Sequence, residues 1–392
     1  MNRKVDELAE QLQEEIISFA QELVRIQSYT GNEEEIAAAI RNRMEALGFL
    51  DVHIDAMGNV IGHFGTGKCT LLFDSHDDTV GVNDTAEWSH DPFGAEIDDG
   101  KLYGRGSVDM KSGLVASIYG AYVAHKAGLI PEGASVYVSA STMEEDYDGH
   151  ALKYELETIG FLPEKVMICE PSNGLDISTG HRGRTLIEVN CEGIACHGSL
   201  PELGKNPVYM LREIIGRVEE LNRRLSEKEG EHGSIALTNI YCQTASNNSV
   251  PQNATIILDR RITAEETEPF ISEEMDRLLE GTEATWRFCD IPGKSWVGHE
   301  FIYHSFLPAW EIAPEHPFVQ AAMKAYREVR GGEPKLFRFN GCTNGISSAG
   351  LHGIPTIVMG PGDLCMAHAR DEYCPTSDIL EAVKIYARLC AV

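Results

Sequence analysis

The chain has 392 residues, and its 33 Lys plus Arg against 61 Asp plus Glu give a formal net charge of -28, which repels nucleic acid and anionic membrane surfaces, so neither is expected as a partner. A hydrophobic content of 43% can bury the cores of two or three domains, and no run approaches the roughly 20 consecutive apolar residues of a membrane span. Ten cysteines without a Cys-x-x-Cys pair point to reduced thiols rather than a disulfide or structural-zinc framework.

Apolar residues at helical spacing (Ile16, Ile17, Phe19, Ala20, Leu23, Val24) predict a first helix over 5–26. The charged opening Met1-Asn2-Arg3-Lys4 lacks the apolar core of a secretory signal, from which a cytoplasmic location is expected. Thr30 with Glu33 three positions on reads as a capping box opening a helix that runs to about Leu47. β-rich runs at 52–54, 60–64 and 70–73, a helix over 111–125, and buried strands at 135–139 and 166–169 predict an α/β sheet with helices on its faces. Near Gly180 the pattern changes: strand 184–193, helix 207–225, strands 234–241 and 254–262, helix 265–279 and strand 284–288 form a βαββαβ unit inserted in the larger domain. An irregular, aromatic-rich stretch runs from 293 through Trp310, after which helix 317–329 and strand 356–359 resume the first pattern. The expected organisation is therefore a discontinuous domain of 1–180 and 293–392 around an inserted domain of 181–292.

Residues with metal-ligand chemistry stand where apolar runs stop. Run 71–73 leads to His76 and Asp78, whose i, i+2 spacing puts imidazole and carboxylate on one face of a strand, where the carboxylate can take the N–H of a metal-bound ring. By itself a His-x-Asp pair is common. The glycine-rich turn 103–111 sets Asp109 before a helix, where its two oxygens could serve two metals or its side chain could cap the helix. Run 136–139 leads to the adjacent acids Glu144 and Glu145, which suit a general base beside a ligand, or a solvated acidic turn. Glu170 ends the 166–169 run, and His368 follows Gly360-Pro361-Gly362. Two imidazoles and three carboxylates suit Zn(II), with Co(II) or Mn(II) as substitutes, and five ligands suit two metals sharing one carboxylate.

Together, His76-Asp77-Asp78-Thr79-Val80, Gly104-Arg105-Gly106-Ser107-Val108-Asp109-Met110-Lys111, Glu144-Glu145, Glu170-Pro171 and Gly360-Pro361-Gly362 with Ala367-His368 are recognisable over essentially the whole chain. The chain resembles the dinuclear zinc metallopeptidase family that includes aminoacylase, carboxypeptidase G, acetylornithine deacetylase and succinyl-diaminopimelate desuccinylase. Gly180-His181-Arg182-Gly183-Arg184, Leu258-Asp259-Arg260-Arg261 and Phe306-Leu307-Pro308-Ala309-Trp310 narrow the likeness to the YgeY-like hydrolases linked to selenium metabolism. The resemblance implies a mixed-sheet, three-layer catalytic domain with an inserted ferredoxin-like lid that also dimerises. It implies two Zn(II) per subunit, one held by His76, Asp109 and Glu170 and the other by Asp109, Glu145 and His368. Asp78 would orient His76, and a cis peptide would join Asp109 to Met110.

By the same resemblance Glu144 would be the base for a metal-bridging water that attacks an amide, with His197 stabilising the oxyanion from a partner subunit. Asn248 and Arg261 would bind substrate, a small peptide or an N-acyl amino acid. Glu170, where some relatives have aspartate, implies a carboxypeptidase or deacylase more than an aminopeptidase, and a carbamoyl compound stays open as substrate. Many relatives carry aspartate at the position of Asn344, although the YgeY-like group resembles this chain there. Two rival readings are a catalytically inactive metal-binding scaffold, which would have no need of Glu144, and a phosphoryl-transfer enzyme built on 74–78, which would want a phosphate-cradling glycine loop with lysine that the chain lacks.

Overall fold

The computed structural model describes residues 2–391. The chain opens with α1 (Asn2–Gln11), α2 (Gln13–Arg25), α3 (Glu34–Leu47), β1 (Leu50–Ile54), β2 (Val60–Gly65), β3 (Lys68–His76), β4 (Ile97–Asp98), β5 (Lys101–Tyr103), α4 (Ser112–Ala127), β6 (Ala134–Ser141), α5 (His150–Thr158), β7 (Val166–Ile168) and β8 (Ile177–His181). Then come β9 (Gly183–Glu192), α6 (Pro207–Ser226), β10 (Ser234–Gln243), β11 (Asn253–Ile262), α7 (Glu268–Leu279), β12 (Thr285–Phe288), β13 (Asp290–Lys294), β14 (Glu300–His304), β15 (Phe306–Leu307) and β16 (Trp310–Glu311). The chain ends with α8 (Pro317–Arg330), β17 (Leu336–Phe339), β18 (Thr356–Val358), β19 (Tyr373–Pro375) and α9 (Thr376–Leu389). Contacts divide it into two units, the second made of Arg182–Pro292 and Ile302–Trp310 and the first of the remainder.

In the first unit a mixed sheet runs β1-β2-β6-β3-β7-β18-β8, with β17 also on β8. Its centre is parallel: β3 pairs in parallel with β6 and β7, and β7 with β18. β3 and β6 are buried on both pleat faces, which requires cover on both sides and explains their nearly continuous apolar sequence. α4 is apolar around most of its circumference because it packs on β3, β6 and α9 at once. A separate apolar cluster of Met57, Met143 and Ala151 seats α5. The four parallel strands end on one edge, where loops carry the chemistry of open α/β sheets.

The second unit is an antiparallel sheet in the order β10-β11-β9-β12 with helices α6 and α7, the βαββαβ order of a ferredoxin-like fold. β9 alternates buried and half-exposed residues, and α6 buries Leu211, Ile214, Val218, Leu221 and Leu225 at helical spacing, so one sheet face takes both helices.

Several sequence expectations are corrected. The first helix is broken between Gln11 and Gln13, and Thr30 caps nothing: α3 starts after Glu33, and the Thr30 hydroxyl donates to Asp78 Oδ2 at 2.7 Å. The stretch expected to be irregular forms a two-stranded ribbon of β13 and β14, whose tip is anchored by Trp296 Nε1 donating to Gly58 O (3.3 Å) and by Phe301 stacked on His150 (4.1 Å between ring centroids). Ile302–Trp310 is grouped with the second unit, whereas the sequence assigned it to the first. Neither α5 nor α9 was anticipated, and the outermost residues of the expected domains, Met1 and Val392, lie outside the described residues.

Candidate metal centre

The parallel pairing explains the convergence. His76 ends β3, Glu144 and Glu145 follow β6, Glu170 lies two residues past β7, and the loop after β18 carries His368. Asp109 comes from the turn before α4. There Gly106 takes φ +79°, and a Cβ on it would lie 2.6 Å from Thr79 Cγ2, so only glycine fits. A Cβ on Gly360 would lie 2.1 Å from Cys169 O, so glycine lets the β18 loop close against the strand end that carries Glu170.

Asp109 lies between the two imidazoles. Its Oδ1 is 3.0 Å from His76 Nε2 and its Oδ2 is 3.2 Å from His368 Nε2. Each ring has a second carboxylate: Glu170 Oε1 lies 3.5 Å from His76 Nε2, and Glu145 Oε2 lies 3.0 Å from His368 Nε2. Asp109 is not a helix cap, since α4 starts at Ser112 without a side-chain cap, and the bond from Asp109 to Met110 is cis. Ligand atoms of His76, Asp109 and Glu145 lie within 4.8 Å of one another, as do those of His76, Glu144 and Glu170. Glu144 is buried, and its Oε1 has no hydrogen-bond partner among the described residues.

Asp78 supports this arrangement differently than expected. His76 Nδ1 is 3.0 Å from the main-chain oxygen of Asp78 and 3.4 Å from its carboxylate Oδ1. Instead the carboxylate accepts the N–H groups of Glu144 (2.9 Å) and Glu145 (3.2 Å) and the Thr30 hydroxyl, so it also fixes the loop bearing the two acids.

Crowding sets the electrostatics. Burial, and then the charge of Asp109, push Glu170 up to about 8, and burial raises Glu144 well above the ordinary carboxylate range. Burial opposes charge on His76, but Glu170, Asp109 and Asp78 outweigh it and raise its pKa well above the usual value. Hydrogen bonds to Asp109 and Glu145 push His368 up to about 10. Buried carboxylates of this density call for positive charge among them, which the donor set matches: divalent ions on nitrogen and oxygen ligands, with one carboxylate offering an oxygen to each.

The remaining candidates lie in the second unit. His197 is exposed, and its Nδ1 accepts the Ser199 N–H (3.1 Å), which leaves Nε2–H to donate. The Gly198 N–H donates to Asn248 O at 2.6 Å, so His197 and Asn248 belong to one loop cluster. Arg261 Nε donates to Asp259 Oδ1 (2.8 Å), and Arg184 Nε donates to Oδ2 (2.9 Å). Asn344 points inward: its Nδ2 donates to Asp74 Oδ2 (2.8 Å) and Ser141 Oγ (2.9 Å), and its Oδ1 accepts the Gly149 N–H (2.8 Å). Glu372, buried under the Asp109 turn, went unnoticed in the sequence; its one signal was an acid four residues after His368.

Residues 72–391 match the model of peptidase family M20/M25/M40. The chain is 32% identical over 387 residues to an uncharacterized protein, YgeY, of Escherichia coli strain K12, covering 98% of this chain and 95% of that one. It is 27% identical over 390 residues to the succinyl-diaminopimelate desuccinylase of Phenylobacterium zucineum strain HLK1, covering 96% and 97%. Its fold superposes on an M20 family metallo-carboxypeptidase of Sulfolobus solfataricus with a TM-score of 0.74 at 19% identity, covering 96% and 98%.

Proposed function

The chain belongs to peptidase family M20/M25/M40, and on that premise we propose that it hydrolyses an amide bond of a small peptide or N-acyl amino acid with two divalent metal ions per subunit, Zn(II) first and Co(II) or Mn(II) as substitutes. One observation carries the reading: a single buried carboxylate, Asp109, offers one oxygen to each of two imidazoles, and each imidazole has a second carboxylate beside it. His76, Asp109 and Glu170 would hold one ion, and Asp109, Glu145 and His368 the other. When bound, such ions polarise a carbonyl and bring the pKa of water towards neutrality.

Glu144 is the base. Its unpartnered oxygen lies in the group with His76 and Glu170, and it is not needed as a ligand, which disfavours the inactive-scaffold reading. As the water oxygen bonds to the carbonyl carbon, Glu144 takes the water proton, then passes it to the amide nitrogen as the C–N bond breaks. Asp78 fixes His76 with Nδ1–H inward and Nε2 towards the ligands.

His197 would donate Nε2–H to an oxyanion in the site of a partner subunit, and Asn248, Arg261 and Arg184 are the candidates for binding substrate, the two arginines through a substrate carboxylate. The two guanidiniums share one carboxylate and so keep a net positive charge. The second unit would serve as lid and dimerisation domain, and the subunits would pair as a homodimer. Support for the pairing comes from β10, an edge strand with exposed Ile240 and Tyr241.

The test is a panel of dipeptides and N-acyl amino acids supplied with Zn(II), Co(II) or Mn(II). Metal-dependent release of a free amino acid is expected. Inertness towards every amide with all three metals would overturn the reading.

A further inference from the structure

Glu372 is fully buried just before β19, which pairs with β5 so that Tyr373 faces Tyr103 at the start of the Asp109 turn. One of its oxygens, Oε1, accepts the backbone N–H groups of Val108 (2.9 Å) and Asp109 (3.1 Å). The other, Oε2, accepts from Arg105 Nη1 at 2.5 Å. Arg105, itself buried, extends Nη2 to the carbonyl of His368 at 3.4 Å, and the Gly104 N–H donates to Glu372 O at 2.9 Å. His368 takes a left-handed backbone with φ +60°, which a β-substituted residue holds only where its surroundings impose it. One carboxylate and one guanidinium thus tie the turn that carries Asp109 to the loop that carries His368.

We infer that Glu372 is a positioning residue that sets Asp109 between the two metal positions and, through Arg105, fixes the His368 loop against it; the inference rests on the dinuclear reading of the site. The charge of the carboxylate matters as well as its reach. Three donors converge on two oxygens, and a glutamine would turn its amide N–H₂ towards either Arg105 or the two backbone N–H groups, donor against donor.

The experiment compares wild type, E372Q and E170Q by competition of each metal-depleted protein with a chromophoric chelator for Zn(II). Because Asp109 serves both positions, E372Q is expected to take up two ions but to hold both about 10–100-fold more weakly, whereas E170Q weakens one. A merely structural Glu372 would lower the melting midpoint of the metal-free protein and leave both affinities unchanged, which would overturn the inference alone. Wild type taking up fewer than two ions would overturn the dinuclear reading and the inference with it. Should E372Q not fold, R105Q carries the same comparison: both affinities lowered together supports the inference, and unchanged affinities overturn it.

Discussion

At Glu144, the proposed base, burial favours the protonated carboxylate. Burial comes first among the causes, and the charges of Asp148, Glu170 and Glu145 add to it against the opposing charge of His76. Glu144→Gln keeps the shape and all five proposed ligands, His76, Asp109, Glu145, Glu170 and His368. Turnover is expected to fall by roughly 10²- to 10⁴-fold with metal content unchanged, checked by elemental analysis of the same preparations. Unchanged turnover would remove Glu144 from the chemistry. Both histidines, the three carboxylates and Glu144 were legible because each stands where an apolar run or a glycine turn stops, and the fold brings those ends together. Glu372 was not legible, since a single acid in a loop has no periodicity, and its value lies in amides distant in sequence. The sequence points to the Asp78 carboxylate as the partner of His76, whereas the shorter contact belongs to its main-chain oxygen, which composition cannot reveal.

Between elements, Asn344 joins the loop after β17 to β3, β6 and the start of α5. Burial holds Asp74 at about 6, above the ordinary 3.8, and the Asn344 and Ser141 hydrogen bonds only partly offset it. A folded pKa above the unfolded one means the folded state holds the extra proton, so this group's contribution to stability falls as pH rises from about 3.8 to 6 and is flat beyond. Asn344→Asp would set a second buried acid against Asp74, and the pair would share a proton at low pH. The variant is expected to be about 1–3 kcal/mol less stable than wild type at pH 8, with the gap narrowing at pH 5, as followed by denaturant unfolding of metal-free protein. A gap independent of pH would contradict that pairing. Long periodic elements such as α6 were readable to within a residue or two. By contrast α9 is not evident in the sequence although it buries Ile379, Val383 and Tyr386 at helical spacing, and the β13–β14 ribbon is hidden because its Phe301 packs on the start of α5 and Trp296 on a loop rather than alternating over a core.

At the scale of the whole molecule, no helix among the described residues is long and apolar enough to cross a membrane. The fold class was legible because two patterns, parallel strands with helices and a βαββαβ insertion, follow one another without mixing. The return of Ile302–Trp310 to the second unit was not, because short strands carry little periodic signal. If β10 pairs subunits, the native mass by sedimentation is twice 43.2 kDa, and Ile240→Lys, which charges the edge, shifts it to the monomer; a wild-type monomer, or a variant that stays dimeric, would contradict that assembly. On the proposed reading, one bridging carboxylate organises two metal ions for amide hydrolysis. The most direct test is turnover of the best amide in the panel as metal-depleted protein is titrated with Zn(II). Activity is expected to rise to a plateau at two equivalents per chain. No activity at any loading, or a plateau at one equivalent with no second ion bound, would contradict that reading.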